Sequence, residues 1–181
     1  MAVFDELDPE RPNRLDWKIL RDGAISLYFD SNALEEACAW FCEHNYHLYM
    51  FDCTQWRTQK DFYDAAITIL HLPDYCGDNL DSIKDCLWSM EVPQEGGAAI
   101  IFSRFDILWQ QWPIFSSNLL DVLEEQSRGF LLFGRRLIVL IQSDYPDISF
   151  QTTKIRHIAL NPAEQLMRTR EVLKKTQQST K

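Results

Sequence analysis

The sequence has no long hydrophobic run. Its longest apolar stretches, such as Ala98–Phe102 and Leu137–Ile141, are strand-sized, whereas a membrane-spanning helix needs about 20 apolar residues. The opening Met1–Arg14 is polar and rich in acid and proline, without the basic start and apolar run of a secretory signal. A soluble, cytoplasmic protein with no membrane partner is expected. Gly-x-Ser-x-Gly, a phosphate-cradling loop and a dinucleotide fingerprint are all missing. The four histidines, His44, His47, His71 and His157, lack the Cys/His or carboxylate spacing of a zinc site. Five cysteines, an odd number, include no CxxC pair. Cys38 and Cys42 are spaced like half a metal site, but free cysteines in a reducing compartment are better read as small buried hydrophobes. Internal repeats and low-complexity segments are absent too. The enzyme classes that announce themselves by these motifs are therefore disfavoured, and neither metal nor cofactor is expected.

Positive charge is also scarce. Lys and Arg number 18 against 27 Asp and Glu, a formal charge of −9. Between Leu72 and Glu125 there are ten acids against Lys84 and Arg104, so that stretch alone carries −8. From Phe150 onward the balance reverses, with seven Lys/Arg against Glu164 and Glu171. Such a chain repels phosphate backbones over most of its surface, which argues against direct nucleic-acid binding, and it attracts basic proteins.

With 46% hydrophobic and 25% charged residues, 181 residues suit one packed domain with some decoration. Leu15–Leu20 and Ala24–Phe29 flank Arg21-Asp22-Gly23, and Asp-Gly between apolar alternations predicts a hairpin. Asp30-Ser31-Asn32 supplies caps for a helix through about Phe41. Tyr46–Cys53 reads as a strand, and Thr58-x-x-Asp61 as a capping box opening a helix with Phe62, Ala66, Ile69 and Leu70 inward. A helix from Leu80 to about Met90 follows, with Asn79 as its cap. Gly96-Gly97 introduces a strand at Ala98–Phe102. Pro113 opens a helix to about Gln126, with Gly129 as its stop. Arg136–Ile141 and Ile155–Leu160 read as strands, and Ala163 to about Lys175 as an amphipathic helix. Trp109 and Trp112 are read as core or half-buried packing. Strands alternating with helices predict an α/β fold with parallel strands.

The run Leu72-Pro73-Asp74-Tyr75-Cys76-Gly77-Asp78-Asn79-Leu80-Asp81-Ser82-Ile83-Lys84-Asp85-Cys86-Leu87 carries the functional argument. At about 100° per residue, Leu80, Ile83, Cys86 and Leu87 fall within roughly 120° of arc, a core stripe. Asp81 and Asp85 lie on the opposite side, with Lys84 between the faces. Like charges four residues apart disfavour a helix by a few tenths of a kcal/mol. Spacing alone allows an ordinary solvated face. Tyr75 and Gly77 beside these carboxylates add an aromatic plate and a tight turn, so the edge can imitate a nucleotide, with a ring for a base and carboxylates for phosphates.

This run resembles the signature of the barstar family, intracellular inhibitors of secreted bacterial ribonucleases, over about Tyr46 to Ser143. The resemblance implies a small parallel β-sheet packed against helices. It divides the chain into an N-terminal β-hairpin and helix extension (1–45), a barstar-like domain (46–150) and a C-terminal strand, helix and tail (151–181). It also implies an immunity-type inhibitor that occludes the active site of a basic ribonuclease toxin, monomeric alone and 1:1 with its partner. Carried over by position, Tyr75, Cys76 and Gly77 match loop positions lining the nuclease site, and Asn79 and Leu80 match the helix start. Asp81 and Asp85 match the two principal acidic contacts, and Val122 and Glu125 match contacts on the next helix. Two positions depart from the family pattern: Lys84 replaces a contacting tryptophan, and Cys76 a tyrosine. Trp88, one turn on, offers a substitute aromatic surface.

Two other readings compete. Asp81, Asp85 and Glu125 together resemble the donors of a Mg²⁺ site, although no general base or substrate-phosphate ligand accompanies them. A binding module of the same fold for a non-nuclease basic protein would also account for Lys84 and the extra termini.

Overall fold

A computed structural model describes residues 4, 7–146, 148, 150 and 158–167. Five parallel strands form one sheet in the order β2-β3-β4-β1-β5: β1 (Ile25–Tyr28), β2 (Tyr46–Asp52), β3 (Gly97–Ser103), β4 (Leu137–Gln142) and β5 (Ala159–Leu160). Side chains alternate across the sheet with the period of two that extended backbone dictates. Ala98, Ile100 and Phe102 enter one apolar cluster, while Ala99 and Ile101 enter another. The central strands β3 and β4 are buried on both faces, as parallel strands are.

One face is covered by α1 (Leu15–Asp22) and α2 (Ser31–Glu43), through Ile19, Leu34, Ala37 and Phe41. The other carries α3 (Gln59–Ile69), α4 (Leu80–Cys86), α5 (Phe105–Gln111) and α6 (Pro113–Leu132). The expected caps form. Asp30 accepts the Asn32 N–H, and Thr58 and Asp61 close a reciprocal capping box. Phe62, Ala66 and Leu70 face inward, with Ile69 half-buried. Trp109 and Trp112 are half-buried against the same cluster.

Three expectations need correction. Leu15–Leu20 is not a hairpin strand but most of α1, and β1 pairs in parallel with β4 and β5. Arg21-Asp22-Gly23 ends a helix: Gly23, at φ 134°, is the C-cap, a conformation side-chain-bearing residues avoid. The N-terminal segment is therefore not an appended hairpin; its strand lies inside the sheet. Next, α4 is shorter than Leu80–Met90, giving way to a 3-10 turn at Leu87–Ser89. Finally, Gly129 does not stop α6, which runs to Leu132. A Cβ there would sit 3.0 Å from the Trp88 ring, so Gly129 permits close packing. The stop is Gly134 at φ 73°: its N–H bonds to Leu131 O at 3.1 Å, and the Arg135 N–H to Phe130 O at 2.9 Å, a Schellman closure. Among the described residues the last strand is Ala159–Leu160, and residues 162–167 are helical. The expected strand residues 155–157 and helix residues 168–175 lie outside the described residues.

The N-terminal segment is tied in by buried polar contacts. Asp16, 0% exposed, accepts bonds from Arg14 at 2.7 Å and the Tyr46 hydroxyl at 2.7 Å, with Arg136 at 3.5 Å. Burial and the adjacent Asp16 charge push the Tyr46 phenol pKa upward, so its proton stays on. Glu124, also buried, accepts the Ala24 N–H at 2.8 Å and pairs with Arg128. Removing Asp16 would leave Tyr46 and Arg136 without their buried acceptor. Asp16→Ala is therefore expected to lower unfolding free energy by about 3 kcal/mol, read from the urea midpoint at pH 7.

Candidate functional site

The segment between α3 and α4 is shaped by local bonds. His71, at φ 52°, turns the chain off α3, and the Leu72 N–H reaches back to Ile67 O at 3.0 Å. Pro73 O accepts the Cys76 N–H at 2.9 Å. The Cys76 side chain turns inward, 5% exposed, with its thiol 3.6 Å from Ser82 O. Burial raises its pKa to about 11, so the thiol stays protonated and serves packing. Ser82 Oγ accepts the Gly77 N–H at 2.7 Å. Asn79 caps α4 by accepting the Ser82 N–H at 2.8 Å, as its side chain predicts.

α4 is anchored by burial rather than by its length of seven residues. Ile83, Cys86 and Leu87 are buried in the larger core, and Leu80 packs against it half-buried. The opposite side carries Asp81 and Asp85, both exposed. Neither forms a salt bridge among the described residues. Asp81 lies in the first turn, where the helix dipole favours a carboxylate. Tyr75 stands out from the loop, 84% exposed, with Asp74 and Asp78 exposed beside it. Asp78 is 3.9 Å from Lys60, which pairs more closely with Asp64 at 2.6 Å.

Across the seam with α6, Lys84 Nζ meets Glu125 Oε1 at 2.5 Å. The bond to Glu125, reinforced by Asp81 and Asp85, raises the Lys84 pKa above its ordinary value. Val122, one turn before, is half-buried against the core. One turn beyond Lys84, Trp88 is 41% exposed; it packs on Phe130 and meets Phe133 edge-on at 5.5 Å, so the seam does end in an aromatic surface.

The structure thus joins Gly77 and Asn79 to α4 through Ser82 and Lys84 to Glu125 of α6, with Tyr75, Asp81 and Asp85 exposed on the same loop and helix and Val122 half-buried on α6. Cys76 and Leu80 support that loop and helix from beneath. The linear count of −8 overstates the local field, because Asp106, Asp121 and Glu124 are buried. Its exposed acids include Asp74, Asp78, Asp81 and Asp85. Of the three acids weighed as Mg²⁺ donors, Glu125 is paired with Lys84 while Asp81 and Asp85 are in no salt bridge among the described residues. Among the described residues no group of three or more His, Cys, Asp or Glu is placed to hold a metal ion, and no helix is long and apolar enough to cross a membrane.

A family model described as barstar, the barnase inhibitor, matches residues 46–142, from the first residue of β2 to the last of β4. The chain belongs to the barstar family. The matched stretch holds the whole acidic face, while α1, β1, α2 and β5 lie outside it. No curated protein matches the chain. Barstar-family proteins are inhibitors by description, and the chain has the family's α/β fold with a parallel sheet.

Ser82 is the residue that sequence reasoning passed over. Its hydroxyl joins the loop to the helix, and its spacing from Gly77 marks no familiar motif. Ser82→Ala would leave the Gly77 N–H without that acceptor, at a cost of about 1 kcal/mol. Faster amide exchange at Gly77 with the sheet unaffected is the expected NMR result.

Proposed function

We propose that the chain is a stoichiometric inhibitor of a basic ribonuclease, an immunity-type protein that plugs the enzyme's active site 1:1 with Tyr75, Gly77, Asp81 and Asp85. The observation that carries this reading is the pair Asp81 and Asp85. Both are exposed and outside any salt bridge among the described residues, and they sit on a helix whose other side is locked into the core.

A ribonuclease grips RNA phosphates with Arg, Lys or His groups, and carboxylates one helical turn apart offer those groups the same acceptors. Tyr75 offers a ring to the site that would hold a base. Because α4 and its loop are already bonded in place, little conformational entropy is lost on docking. Long-range attraction between an acidic face and a basic cleft speeds encounter and weakens with salt. Cys76 and Leu80 act by supporting the loop and helix, and Asn79 by capping. Cytoplasmic residence follows from the role, since the cell's own RNA is what such an inhibitor protects.

The test is inhibition of barnase, the ribonuclease named in the family's description, measured at low and then moderate salt. Asp85→Ala is expected to weaken inhibition by about 30-fold or more, the loss typical of a central interface anchor, with the circular dichroism spectrum unchanged. Unaltered inhibition by a folded Asp85→Ala protein would remove the mechanism.

A further inference from the structure

The family's usual aromatic contact on α4 is here a lysine, and the structure gives that lysine a defined job. Lys84 is neither buried nor free: its side chain is 32% exposed, Glu125's is 39% exposed, and Nζ meets Oε1 at 2.5 Å. An ammonium has three donors. Glu125 takes one, and no second partner for Lys84 occurs among the described residues. Beside Asp81 and Asp85 and facing Glu125 from α6, the ammonium sits at the edge of the acidic face. It also engages a third carboxylate, Glu125, through Oε1.

A partner that covers this face removes water from Lys84. If it offers only cations there, the ammonium keeps one acceptor, loses its water and gains a like-charged neighbour, an arrangement that is disfavoured. A carboxylate on the partner would accept the remaining donors and turn the same residue into an attraction. Discrimination arises as readily from such a mismatch against wrong partners as from contacts to the right one.

We propose that Lys84, held by Glu125, is the specificity-determining residue of this face. The cognate ribonuclease carries an acidic group opposite Lys84, among the cations that meet Asp81 and Asp85. The inference rests on the inhibitor reading above and names the charge pattern of its partner.

Barnase serves as the probe, on the general chemistry that an RNA-phosphate site is lined with cations. Lys84→Met keeps the aliphatic stem and removes both the charge and the bond to Glu125. It is expected to tighten inhibition of barnase by about 10-fold or more at low salt, with the gain shrinking as salt rises. Glu125→Gln, which leaves Lys84 unpaired on the face, is expected to weaken it. Thermal midpoints of both variants should stay near that of the unmodified chain. Equal or weaker inhibition by Lys84→Met overturns the proposal. Asp85→Ala placed in both backgrounds separates the two possible failures. If it still costs affinity while Lys84→Met gains nothing, the specificity role alone is wrong. If it too changes nothing, the reading of the face has failed with it.

Discussion

Burial of Ile83, Cys86 and Leu87 against the rest of the core holds α4 in place, and the acidic face depends on that hold. A seven-residue helix with two like charges one turn apart has little stability of its own. Its geometry is borrowed from the sheet and from α6, which the apolar stripe joins to it. Once the stripe is fixed, Asp81 and Asp85 have nowhere to point but outward, and Asn79 and Ser82 bring the preceding loop into line with them. The rigid presentation of negative charge is thus a consequence of hydrophobic packing on the hidden side of the same turns.

The sheet supplies the platform for this arrangement, and it is larger than the family match. The matched segment contributes β2, β3 and β4, and β1 and β5 widen the sheet beyond β4. Buried polar contacts weld the addition on: Asp16 with Tyr46 and Arg136, and Glu124 with Ala24. These contacts join residues up to 120 apart in the chain. They consume acids that a linear charge count would assign to the surface.

Legibility in the sequence followed the range of the interaction. The capping box at Thr58, the Asp30 and Asn79 caps and the strand at Ala98–Phe102 behind Gly96-Gly97 are set by neighbours within a few residues, and all were readable. The Leu72–Leu87 run was readable as well, since helical periodicity alone separates its apolar and acidic sides. Arg21-Asp22-Gly23 was ambiguous because a glycine with positive φ serves a hairpin and a helix end equally well; only the pairing of β1 with β4 decides between them. Gly129 misled for a related reason, since it is small to admit Trp88 rather than to end α6. The Lys84–Glu125 pair spans 41 residues and leaves no local trace. The meaning of Lys84 as a held cation, rather than a missing aromatic, emerges only in three dimensions.

The central claim is that the loop at Tyr75 and the exposed side of α4 form the docking element for a ribonuclease. Hydrogen–deuterium exchange of the full chain, alone and with excess barnase at low salt, tests it most directly. The account predicts slower exchange confined to residues 75–87 and the facing turns of α6, with α1 and α2 unaffected. Protection centred on α1 and α2, or none at 75–87, would contradict it.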